Sequence, residues 1–180
     1  MRITKQNTVG LVIDIQERLI AVMNEKETLL KNCTTLSQGL KELEIPMLVS
    51  QQYTKGLGET VPEIHSVFDE FSYFEKKDFS CFQVPEIVDQ LKELKVKNIV
   101  ICGIESHVCV LQTALDLKDA GLNPIVVMDC VSSRTAANIE LAKERFRFEG
   151  IMMSSYESIL FELTGSAGDP SFRAISKLVK

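Results

Sequence analysis

Residues 98–121 read NIVICGIESHVCVLQTALDLKDAG. An unbroken apolar run, 98–102, has the length and composition of a strand buried on both faces. After Gly103 a helical pattern covers 106–120 and stops at Gly121, the residue type favoured just past a helix C-terminus. PIVVMD at 124–129 is then a second buried strand. Strand, helix and strand at this spacing predict parallel strands joined by a crossover helix.

Working outward, the same alternation covers the chain. Strands are expected at 9–13, 46–50, 71–75 and 150–154, the third being the weakest. Helices are expected over 26–43, 84–94 and 135–148, with two more in 155–180 around the loop TGSAGDP. Helices must cover both faces of such a sheet, which is why its strands are continuously apolar. The fold class is therefore α/β: one domain over 1–180, three layers (α/β/α), with a mostly parallel, Rossmann-like sheet of six strands. Sheets of this type bind ligands outside the carboxyl ends of their strands.

Composition narrows the function classes. With 180 residues, 45% hydrophobic and 25% charged, the chain is an ordinary globular one. A net charge of −5 without a basic run argues against a nucleic-acid partner. No apolar run approaches the roughly 20 residues of a membrane span, and MRITKQNTVG lacks the apolar centre of a secretory leader. Five cysteines without a C-x-x-C pair read as free thiols in a reducing, cytoplasmic setting.

Three strand ends carry chemistry. Asp14 follows the wholly apolar VGLVI; it is either a turn carboxylate or a desolvated one that needs a proton or a cation as partner. Lys76 and Lys77 follow the third strand, and alternation turns one of them into the cleft and the other to solvent. Cys109 falls in the first turn of the helix after the fourth strand. With Ser106 as N-cap, helix-end N–H groups would favour its thiolate and make it a nucleophile; the competing reading is a small buried hydrophobe. Cys33, Cys81, Cys102 and Cys130 fit that second reading better. Acid, cation and thiol on one crevice imply acyl transfer through a thioester, with Asp14 as general base and acid.

The segments LVIDIQ, KKDFSCF and CGIESHVCV, in this order and spacing, resemble those of the isochorismatase-like cysteine hydrolases, a family that includes nicotinamidases and N-carbamoyl amidohydrolases. LDLKDAGLNPIVVMDCVSSR is similar to the helix, strand and loop that follow in the family, and the likeness runs from about residue 8 to 165. It extends to a subgroup carrying Q-Y-x-K-G-L-G-x-T-V-P-E, here QQYTKGLGETVPE at 51–63. The resemblance implies an Asp14–Lys76–Cys109 triad, selecting Lys76 over Lys77. It also implies a cis peptide between Ile104 and Glu105, and an oxyanion hole made by the backbone N–H groups of Glu105 and Cys109. It further implies a small-molecule substrate and assembly into homo-oligomers, for which Phe146, Phe148 and Phe161 are candidate contacts.

Departures from the family pattern sharpen this. Nicotinamidases hold a metal with Asp-x-His and a later His; here the second strand exits into SQQYTKGLG, and only His65 and His107 exist. No metal and no cofactor are expected. Isochorismatases that hydrolyse a vinyl ether lack the cysteine, so Cys109 favours attack on a carbonyl. Glu105, where many members have Ala, either faces the site and repels anions or caps the helix. Gln16, Tyr53, Phe79 and Ser132 are candidate substrate-wall residues. The 51–58 loop either covers the crevice or is an ordinary surface or oligomer segment, and Ser132 and Ser133 either reach substrate or cap the helix near Arg134. The expectation is a metal-independent hydrolase of a small amide or related acyl compound. The alternatives are a non-enzymatic binding or scaffold protein that keeps the fold, or an isochorismate-type vinyl-ether hydrolase.

Overall fold

The computed structural model describes residues 2–180. In chain order the elements are β1 (Thr8–Ile13), α1 (Glu17–Ile20), α2 (Lys26–Glu42), β2 (Met47–Gln52), α3 (Thr54–Leu57), α4 (Pro62–His65) and β3 (Phe74–Lys76). There follow α5 (Pro85–Glu93), β4 (Asn98–Ile104), α6 (Leu111–Asp119), β5 (Asn123–Ser132), α7 (Ala136–Phe148), β6 (Met152–Ser154), α8 (Tyr156–Thr164) and α9 (Phe172–Leu178). The strands form one six-stranded sheet in the order β3-β2-β1-β4-β5-β6, and every neighbouring pair is parallel.

Side-chain alternation divides the core into two layers. Val12, Val100, Cys102, Ile125 and Val127 point to one face, where Leu36 and Leu40 of α2, Leu160 of α8 and Ile175 of α9 cover them. Leu11, Ile13, Ile99, Ile101 and Val126 point to the other, under Ile87 of α5, Leu117 of α6 and Phe146 of α7. Burying each such side chain contributes about 1.5–3 kcal/mol, so both layers are needed. The expected three-layer architecture is the one observed. At the edges, β3 and β6 have only three residues each, which limits the unpaired backbone they offer to other chains.

Strand order reverses between β1 and β4, so their following segments leave toward opposite faces and open a crevice between them. Gly103 makes the two strands fit. It has φ 119°, and a Cβ there would lie 2.0 Å from the carbonyl oxygen of Ile13. The β4–β5 register also shifts between Ile101 and Gly103, where β5 carries extra residues between Val126 and Val131.

The differences from the sequence reading are local. The third strand is 74–76 rather than 71–75, because Phe71 stacks with His65, Phe68 and Tyr73 off the sheet. α1, α3 and α4 have four residues each, too short to show a period. The helix expected from 106 begins as a wide turn, Ser106–Val110, in which the Val110 N–H reaches the Glu105 carbonyl at 3.2 Å; α6 proper starts at Leu111. Phe146 is wholly buried core, whereas Phe148 is 85% exposed.

Candidate active site

β1 ends and the chain turns at Asp14, whose φ of 53° is unusual for a non-glycine residue and aims its carboxylate into the crevice. Oδ2 lies 2.7 Å from Lys76 Nζ, and neither side chain touches solvent. Oδ1 accepts a 2.8 Å hydrogen bond from Ser50 Oγ on the neighbouring strand. Lys76, the last residue of β3, also donates to Gln52 Oε1 at 2.6 Å and to the Phe79 carbonyl at 3.1 Å. Lys77 is exposed. Burial pushes the Asp14 carboxyl above its ordinary value, and Lys76 and Ser50 offset this only in part. Burial is the strongest single influence on the Lys76 ammonium and disfavours it, but Asp14 together with Cys81 and Cys109 outweighs that and holds its pKa above the usual lysine value.

Cys109 Sγ sits 3.6 Å from the same Lys76 Nζ, on the far side of the crevice. It is reached through the turn after β4, and the Ile104–Glu105 peptide that leads into this turn is cis. Two expectations are corrected here. Ser106 is not a cap: the turn opens at Glu105 with no side-chain capping bond, and Ser106 Oγ is buried without a hydrogen-bond partner among the described residues. Nor is the thiol acidified. Burial first, then the Asp14 carboxylate, push it up to about 12, against a smaller opposing pull from Lys76. Burial and the neighbouring carboxylate both favour the protonated thiol.

The other candidate residues are placed as follows. Gln16 is wholly buried, and its amide is committed to backbone: Nε2 donates to the carbonyls of Gln52 (3.0 Å) and Gly58 (2.7 Å), and Oε1 accepts from Gln52 N–H (2.7 Å). It thereby pins the 52–58 segment across the end of β1. Tyr53 and Phe79 are about half exposed. Ser132 donates to the Asn24 carbonyl at 2.8 Å, and Ser133 meets His107 Nδ1 at 2.8 Å. Neither serine caps α7; Thr135 does, its side chain accepting from Asn138 N–H. Glu105 neither caps a helix nor stands free, since its carboxylate pairs with Arg134 Nε at 3.2 Å. Among the described residues no three His, Cys, Asp or Glu side chains converge as a metal set would.

Comparison with known proteins decides the family. The isochorismatase domain model matches residues 8–157. The secreted isochorismatase effector Isc1 of Phytophthora sojae is 39% identical over 99% of this chain and 87% of its own length. The chain belongs to the isochorismatase family. Isochorismatase domain-containing protein 2 of Xenopus laevis is 32% identical over 99% of this chain and 86% of its own. A solved structure described as the MAR1 ribonuclease of Caenorhabditis elegans superposes with a TM-score of 0.94 at 36% identity, covering 99% and 92% of the two chains.

Within this isochorismatase-family hydrolase, the structure brings together residues that motif reading passed over. Ser50 and Gln52 support Asp14 and Lys76 directly. Ser50 ends the expected strand 46–50, two positions from the carboxyl end of β2, so the strand-end rule that selected Asp14 also points to it. Cys81 shares this pocket, its thiol 3.4 Å from Ser50 Oγ. Arg134 gave no signal beyond its SSR context, because its partner lies 29 positions away.

Proposed function

We propose that this isochorismatase-family chain is a metal-independent cysteine hydrolase of a small amide or related acyl compound, working through a thioester on Cys109. The observation that carries the reading is one buried ammonium, Lys76 Nζ, in contact with both Asp14 Oδ2 (2.7 Å) and Cys109 Sγ (3.6 Å) at the strand-order reversal.

In the proposed cycle Sγ attacks the carbonyl carbon as its proton passes to the Asp14 carboxylate. The oxygen gains the negative charge and is held by the backbone N–H groups of Glu105 and Cys109. Collapse breaks the C–N bond, and the amine leaves with the proton from Asp14. Asp14 then deprotonates a water that attacks the thioester; the acid departs and Sγ regains its proton. A thiol held at about 12 suits this sequence, because proton loss and bond formation are coupled and no exposed thiolate waits to be oxidised. Lys76 favours the ionised carboxylate against the opposing effect of burial. The donor set agrees with a reaction that needs no metal, the second strand's exit offering glutamines where metal-binding relatives have Asp-x-His.

The five cysteines are unpaired thiols, and none of the described helices is long and apolar enough to cross a membrane; a reducing cytoplasm fits this chemistry. RNA is not carried over from the C. elegans relative, because the chain has a net charge of −5 and no basic run along its sequence.

The test is intact-mass detection of an acyl adduct with a panel of small amides and activated esters. Wild type is expected to gain one acyl group, and Cys109→Ala none. An adduct that persists in Cys109→Ala would sink the thioester. Turnover of a vinyl ether by that variant would support the acid-catalysed alternative, and no turnover with any compound would favour a binding protein.

A further inference from the structure

The hydrolytic scheme leaves one buried-to-exposed ion pair unused. Oε2 of Glu105 accepts from both the backbone N–H and Nε of Arg134, each at 3.2 Å. The acid is the shielded partner, its side chain 13% exposed against 60% for the arginine. Glu105 opens the turn that carries Cys109, and its carbonyl accepts from Val108 and Val110 N–H at 3.0 and 3.2 Å. Arg134 follows Ser133, whose hydroxyl meets His107 of the same turn. The exit of β5 is thus fastened to the nucleophile's turn at two neighbouring points, so the pair is fixed relative to Sγ.

Each member alone would give the cleft a charge preference. An unpartnered guanidinium is a planar fork for a carboxylate, and an unpartnered carboxylate repels one. Together they cancel over a few ångströms, and the Nε edge of the fork is occupied. Asp14 and Lys76 likewise balance each other. We propose that the Glu105–Arg134 pair sets this site for uncharged substrates, small neutral amides or acyl compounds, and excludes those bearing a carboxylate. Glu105 is the specificity-determining side chain, and Arg134 is its counter-charge. The inference rests on the hydrolase reading and names its substrate class.

Two probe pairs test it on the full-length protein. p-Nitrophenyl acetate and mono-p-nitrophenyl succinate share a leaving group and differ by one carboxylate; iodoacetamide and iodoacetate make the same contrast at Cys109 without turnover. Wild type should favour the neutral member of each pair. Glu105→Gln frees the guanidinium and should raise the anionic-to-neutral rate ratio by about tenfold, the equivalent of roughly 1.4 kcal/mol. Arg134→Gln leaves the carboxylate uncompensated and should lower the ratio. Opposite signs are the signature, since damage to the turn slows both members of a pair in parallel. Alkylation ratios unchanged in both variants, or moving in one direction, overturn the proposal whatever the esters do. Absence of ester acylation with alkylation ratios still moving oppositely removes the hydrolase reading and keeps the charge assignment.

Discussion

Asp14 and Lys76 exchange solvation for each other, and neither is stable at its depth alone. Removing one partner of a buried pair typically costs about 3–5 kcal/mol, because the survivor is left uncompensated. Lys76→Met is expected to lose about that much stability at neutral pH. Its pH dependence identifies the cause. Without the cation, the folded-state pKa of Asp14 rises further, so the folded protein holds a proton that the unfolded chain releases. Stability then falls as pH rises through that window. Urea unfolding should therefore show the largest deficit near neutrality and a smaller one in mild acid; an equal deficit at both would point to lost packing instead. The thiol makes a second residue-scale prediction. With Cys109 pushed up to about 12, its alkylation by iodoacetamide should keep climbing about tenfold per pH unit well past the value of a free thiol. A plateau below pH 8, read by peptide mass mapping, would mean a preformed thiolate.

At the scale of elements, the site depends on how closely β4 approaches β1. Asp14 and the Cys109 turn leave the sheet from these two strands, and Gly103 sits at their contact with a positive φ and no room for a side chain. Gly103→Ala would drive a methyl group into the Ile13 carbonyl, one residue before Asp14. The expected loss is at least about 1–3 kcal/mol from backbone strain, with lower acylation of Cys109 because the carboxylate and thiol are displaced together. Thermal unfolding and adduct formation should fall together; a variant with wild-type melting and acylation would show that the approach is not constrained. The 52–58 segment is a further element-scale device. Gln16 ties its two ends to β1, and Arg18 donates to the Gly56 carbonyl at 2.6 Å. Its position beside the end of β1 is thereby fixed.

For the whole molecule, the outer face of α7 carries the most exposed large hydrophobic side chains among the described residues. Leu141 and Phe148, seven positions apart and so on one side of the helix, are 66% and 85% exposed. The homo-oligomer implied by family resemblance would cover them. Sedimentation of the wild type should give a multiple of the monomer mass, and Leu141→Lys with Phe148→Glu should shift it toward the monomer. A wild type that sediments as a monomer would remove this expectation.

What the sequence determined by itself was whatever local chemistry and periodicity encode. Continuous apolar runs such as NIVIC specified strands covered on both sides, Gly121 marked a helix end, and the strand-end rule singled out Asp14, the Lys76–Lys77 pair and Cys109, with family resemblance choosing Lys76. Tertiary structure decided the properties that depend on distant neighbours. Whether the Cys109 thiol is acidified or suppressed depends on burial and on a carboxylate 95 positions earlier in the chain. The partner of Glu105 likewise comes from the next strand's exit. Spacing along a chain fixes which face a side chain takes, but solvation and Coulomb interaction depend on distance in space, which only the folded packing supplies.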